Sequence, residues 1–199
     1  MCRSIQEAAG STNSTSNIAI LVNNIERYDA GKGKIHKQTD EELVETTNAN
    51  TFPMVMMTRF LGPKMKARGT HKSGVINMTS YYVDWPSYNL PLFTAGKSLQ
   101  AHTSYIFGLE EEDSMDVLTV KQLPVVSARN PLGVQATDVV EGVFADLGQS
   151  RISYGHWKHS LLRYPYLMMQ CQWWFPVSNR VKPVGGISNL TSIPSSKWH

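Results

Sequence analysis

The sequence predicts an α/β domain built on a parallel sheet, and three observations carry that prediction. Short unbroken apolar runs recur at "IAILVNN" (18–24), "SGVINMTS" (73–80) and "DVLTVKQLP" (116–124), the pattern of strands buried on both faces. Longer stretches of helical pattern separate them, and strand–helix–strand alternation closes as a parallel sheet with right-handed crossovers. The chain has 199 residues, 41% hydrophobic and 18% charged, which suits one domain around one core.

Taken in order, residues 1–17 are rich in Ser, Thr and Asn, with "RSIQEAAG" readable as a helix end stopped at Gly10. After the first strand, "TDEELVETTNANTFPMVMMTRFLGPKMKARG" (39–69) is a helix with Thr39 or Asp40 as N-cap, acids in its first turn and bases in its last. Pro53 is expected to kink it or delay its start, and "MVMMTRF" reads as its core face. "PLFTAGKSLQAHTSYIFGLEEE" (91–112) is the next helix, and the acidic run Glu110 to Asp113 reads as a solvated loop. A helix over about 137–147 follows Pro131. "YPYLMMQCQWWFP" (164–176) is an aromatic segment with three destinations: the core, a protein partner or a lipid interface. The tail (177–199) has the Pro, Gly and Ser content of an extended arm.

Composition removes several function classes. The 19 basic residues are scattered among 16 acidic ones for a net charge of +3, without the basic stripe that a phosphate backbone requires, so no nucleic acid is expected. Cys2 and Cys171 form neither a disulfide framework nor a zinc motif. No run approaches the roughly 18 apolar residues of a bilayer span, and the first residues lack the apolar core of a signal peptide. His156 and His159 are the one histidine pair at ligand spacing; a surface or packing role is expected for them, and no metal.

The chemistry concentrates around "MTSYYVDWPSYNLPLFTAGK" (78–97). Position 93 lies four residues before Lys97, on one helical face. In a carbonyl reductase of this layout a tyrosine there donates its proton to the carbonyl oxygen, the lysine lowers the phenol pKa and the serine, here Ser80, orients the carbonyl. With "LVNN" and Asn50, the set resembles the short-chain dehydrogenases/reductases from about residue 18 to 175. It is nearest the branch of very-long-chain 3-oxoacyl-CoA reductase and the 17β-hydroxysteroid dehydrogenases. "GVINMTS", "VKQLPVVSAR" and "ADLGQSRISYGHWKHSLL" carry the likeness.

The departures are as informative as the matches. Phe93 replaces the tyrosine and removes the acid, a step that alone contributes about 10²–10⁴ in rate. Tyr81, Tyr82 and Tyr88 are near in sequence, but none shares the face of Lys97. The resemblance implies that a glycine at position 26 lets the backbone approach the cofactor ribose, after Asn23 and Asn24; this chain has Glu26, bulkier and negative. Beyond Pro124, Arg129 stands where the family places a threonine against the nicotinamide. No GxxxGxG follows an early strand, and "AGKGK" and "VGGIS" read as loops.

The resemblance therefore implies a truncated Rossmann-like sheet lacking the N-terminal nucleotide-binding strands: a segment 1–17, a partial reductase-like domain 18–176 and an arm 177–199. Asn50, Ser80, Phe93 and Lys97 are expected as vestigial catalytic positions, and Asn23, Asn24, Glu26, Pro124 and Arg129 as vestigial cofactor positions. An inactive hydroxysteroid dehydrogenase-like member of the branch, with the same phenylalanine, is a precedent. The expected function is a non-catalytic subunit of a larger assembly, with no cofactor. Relatives sit at the endoplasmic reticulum or in mitochondria; a large mitochondrial complex is the expected setting, with the endoplasmic reticulum second, and membrane-surface contact through 164–176 stays open. The alternatives are an NADPH-dependent 3-oxoacyl-CoA or hydroxysteroid reductase whose nucleotide half comes from another chain, and a peripheral lipid-binding protein.

Overall fold

The structure, a computed structural model, describes residues 18–28, 34–69, 71–84, 90–126 and 133–170. The readings for residues 1–17, Arg129, "VGGIS" and the arm lie outside them. In chain order the elements are β1 (Ile20–Asn23), α1 (Asp40–Lys66), β2 (Ser73–Met78), α2 (Pro91–Glu110), β3 (Met115–Val120), α3 (Ala136–Asp146), β4 (Ile152–Ser153) and α4 (Trp157–Gln170). The strands form one parallel sheet in the order β1-β2-β3-β4. Neither β4, two residues long, nor α4 is among the elements expected from the sequence.

Successive residues of a strand point to opposite faces, and both faces of the central strands are covered. Val75, Met115 and Val117 pack with Leu21 and with Leu61 and Met65 of α1. Ile76, Leu118 and Val120 pack on the other side with Val139 and Val143 of α3. That second layer stops short of β1, where Ile20 and Val22 are exposed and, among the described residues, the sheet ends.

α1 starts where its cap places it. Thr39 Oγ1 accepts from Glu42 N at 3.3 Å and Glu42 Oε2 accepts from Thr39 N at 3.1 Å, a reciprocal capping box. The helix then runs through Pro53 and Pro63 to Lys66, so Pro53 does not delay the start. The acidic run is less free than expected of a solvated loop: Glu111 Oε2 accepts from Lys66 Nζ at 2.8 Å and Ser114 Oγ at 2.6 Å, and Glu112 pairs with Arg151 at 2.6 Å. α1 and α2 cross at Gly96, where a Cβ would fall 2.6 Å from Asn50 Cβ. The helix carrying Phe93 and Lys97 thus meets Asn50 at a crossing that leaves no room for a side chain at position 96.

Candidate functional site

Asn50 is buried and braces the loop that leaves β1. Its Oδ1 accepts from Arg27 N and its Nδ2 donates to Arg27 O, both at 2.8 Å, while its own carbonyl accepts from Gln100 Nε2 at 2.7 Å. Arg27 is fixed from its other end as well, donating from Nη1 and Nη2 to both carboxylate oxygens of Glu45 at 2.6 and 2.7 Å. Such a bidentate fork holds direction as well as distance. The brace matters because Arg27 follows Glu26.

Glu26 reaches Lys97 from that held loop, with Oε2 at 3.3 Å from Nζ. The lysine side chain is 1% exposed and the glutamate 56%. Lys97 Nζ also donates to Met78 O at 3.3 Å and lies 5.7 Å from the Phe93 ring centre. Burial depresses the Lys97 pKa, and the Glu26 charge and hydrogen bond oppose that shift. By sequence Glu26 is an obstacle near a nucleotide. In the structure its carboxylate pairs with the lysine that would tune the acid.

Phe93 is buried inside an aromatic enclosure. Tyr28 meets its ring edge-on with centroids 5.0 Å apart, Tyr82 does so at 5.9 Å, and Tyr81 stacks on Tyr82 at 4.2 Å. Sequence spacing does not reveal Tyr28 and Tyr82 as neighbours of position 93: helical-face reasoning follows one element and misses the loops folded over it. Ser80 is spent locally, its Oγ accepting from Tyr82 N at 3.3 Å as the cap of a short 3-10 turn.

Of the positions assigned to a dinucleotide, Asn23 is engaged within the chain too. Asn23 Nδ2 donates to Asn77 Oδ1 at 2.7 Å and Asn77 Nδ2 to Ser104 Oγ at 2.8 Å, with Thr119 Oγ1 on the same serine at 2.7 Å. This buried polar ladder ties three strands to α2 and satisfies groups that would be costly to leave unpaired. Asn24 and Pro124 are exposed. His156 and His159 have ring centres 6.2 Å apart, but Nδ1 of His156 accepts from Lys158 N and Nδ1 of His159 pairs with Tyr154 O at 3.0 Å. No group of three or more His, Cys, Asp or Glu that could hold a metal occurs among the described residues.

Lys97 supplies a stability test. Replacing a whole buried ion pair by well-packed apolar side chains is often neutral or stabilising by about 1–4 kcal/mol, and removing one partner is costly only where it strands the other charge out of water. With Glu26 half in water, Lys97→Met is expected to gain about 1 kcal/mol at pH 7 in urea denaturation. The gain should shrink as pH rises. Below its folded pKa Lys97 is charged in both states and burial opposes folding in full, and above the ordinary value near 10.4 the unfolded chain has also lost the proton. A loss of about 2 kcal/mol or more at pH 7 would instead make the Glu26 pair a net stabiliser.

No protein-family model matches the sequence, and no curated protein matches it. Solved structures do. A short-chain dehydrogenase from Burkholderia cenocepacia J2315 in complex with NADP superposes with TM-score 0.69 at 16% identity, over 83% of this chain and 71% of that one. A 7β-hydroxysteroid dehydrogenase gives TM-score 0.70 at 15% identity over 84% and 70%. A short-chain dehydrogenase from Sphingobium yanoikuyae in complex with NADPH gives 0.66 at 17% over 85% and 70%. Identities this low speak to architecture, and on those superpositions the parallel sheet and its flanking helices have the Rossmann-like fold of the short-chain dehydrogenases/reductases.

Proposed function

We propose that this chain is a non-catalytic, reductase-like module that serves as a structural or accessory subunit of a larger protein assembly, with a mitochondrial complex as its setting. The observation that carries the reading is the pairing of Lys97 with Glu26 beside a buried Phe93. The position that would donate a proton has none to give, and the cation that would tune it already has a carboxylate partner. A nicotinamide dinucleotide does not fit these residues: the Asn23 amide is committed to Asn77, and Glu26 sets a negative charge where the resemblance brings the backbone to the ribose.

Exposed apolar surface supports a role in contacts. Ile20, Val22 and Ile25 are exposed at and beyond the β1 edge. A groove of about 720 Å³ runs between α1 and α2, lined by Val55, Gly62, Ile106 and Phe107 among others, with Leu109 exposed nearby in sequence. Apolar surface of this kind marks interaction sites. Native mass measurement of the protein from its source tests the reading. It should run far above 22.3 kDa, and a lone monomer would remove the need for partners.

A second reading, an NADPH-dependent reductase of a 3-oxoacyl or steroid carbonyl completed by another chain, is favoured by Ser80 and Lys97 standing at reductase spacing. Phe93→Tyr, assayed in the assembly isolated from its source so that any chain supplying the nucleotide half is present, separates the two. With Glu26 still on Lys97, that variant should show no carbonyl reduction above background with NADPH, and turnover raised by about 10² or more would favour the reductase.

A further inference from the structure

α4 is amphipathic in the wrong sense for a helix facing water. His159, 1% exposed, and the half-buried Arg163 face the body of the protein: the imidazole pairs with Tyr154 O, and Arg163 Nη1 donates to Tyr154 Oη at 2.8 Å and lies over the Tyr154 ring. The outer stripe is apolar. Trp157, Leu161 and Tyr164 recur at i, i+4 and i+7 and are 66%, 59% and 56% exposed, with Leu162 also exposed beside them. The start of the helix is rigidly seated, because the Gly155 carbonyl just before it packs directly on Gly142 of α3.

Charge adds an independent observation. From residue 147 to 199 the sequence contains no Asp or Glu, yet it carries Arg151, Lys158, Arg163, Arg180, Lys182 and Lys197, and four of the five tryptophans, Trp157, Trp173, Trp174 and Trp198. Lys158 projects beside the stripe, its Nζ 5.8 Å from the Trp157 ring centre. An apolar stripe with Trp and Leu, Lys158 at its margin and no acid in its own stretch of sequence is the chemistry that seats a helix in the headgroup region of an anionic bilayer. Among the described residues no helix is long and apolar enough to cross one.

We infer that the outer stripe of α4, Trp157, Leu161 and Tyr164 flanked by Lys158, docks on an anionic lipid surface, with the helix lying in the plane of the interface. The inference does not depend on whether the reductase-like site binds dinucleotide. It also starts the contact at Trp157, upstream of the aromatic segment 164–176.

Co-sedimentation of the full chain with vesicles tests it, using phosphatidylcholine alone or with about 30% phosphatidylserine. The chain should partition onto the anionic vesicles and much less onto the neutral ones. Each basic residue near such a surface contributes about fivefold, so Lys158→Glu should weaken the anionic partition by about 25-fold. The double variant Trp157→Ser with Leu161→Ser should weaken it at least about tenfold, while both variants keep the wild-type circular dichroism, their sites being exposed. Brominated lipid should quench tryptophan fluorescence of the wild-type chain more than that of Trp157→Ser. Absence of binding to anionic vesicles, or binding that the double variant leaves unchanged, would overturn the proposal. So would a self-association dispersed by the double variant, which would give the stripe to a second copy of the chain.

Discussion

Replacing Asn50 with alanine is expected to lower the unfolding free energy by about 2–3 kcal/mol and to loosen the loop after β1. The amide makes two hydrogen bonds to the backbone of Arg27, and its loss opens a small void where α1 crosses Gly96. Urea denaturation measures the first effect and amide hydrogen exchange at 25–28 the second. The exchange reading separates a brace from a mere core residue, since the Glu26–Lys97 pair depends on where that loop is held. Unchanged protection at 25–28 in a destabilised variant would show that Arg27–Glu45 alone sets the loop.

Gly142→Ala is expected to be costlier still, roughly 4 kcal/mol and about 10 °C in Tm. A Cβ on Gly142 would fall inside the carbonyl of Gly155, whose carbon lies 2.8 Å away, and neither backbone can give. Gly155 is itself closely packed: its φ is +69°, and a Cβ on it would sit 2.6 Å from Val139 Cγ1. Gly62→Ala is the matched control. Its Cβ would meet Phe107 and Met115 at 3.8 and 3.9 Å, ordinary contact, so helix propensity should leave stability unchanged or raise it by up to about 1 kcal/mol. Equal losses in the two variants would mean that the α3 seat is looser than described.

The central strands and first three helices are legible in the sequence because each announces itself within its own residues. Continuous apolar runs mark β1, β2 and β3, and the Thr39–Glu42 box marks the start of α1. β4 is not legible, since two residues, Ile152 and Ser153, hold no period; pairing with Thr119 and Val120 makes them a strand. α4 does carry a helical recurrence in Trp157, Leu161 and Tyr164, but that stripe faces outward and the buried side carries His159 and Arg163, so the period misplaces the face that packs.

The site divides along the same line. Phe93 and Lys97 share one helix, so four-residue spacing alone places them together. The contacts of Glu26 with Lys97, of Asn50 with Arg27 and of Tyr28 with Phe93 all depend on the path of the chain after β1, which no local pattern encodes. The sequence shows the charge of Glu26. Only its partner gives that charge a role, because a carboxylate beside a buried ammonium offsets the burial that depresses the lysine pKa.

Calorimetric titration of the full chain with NADPH tests the central claim most directly, that Lys97 belongs to Glu26 and not to a nucleotide. The account predicts no saturable heat up to about 1 mM, an interaction weaker than about −4 kcal/mol. A stoichiometric isotherm with a dissociation constant in the micromolar range would contradict it.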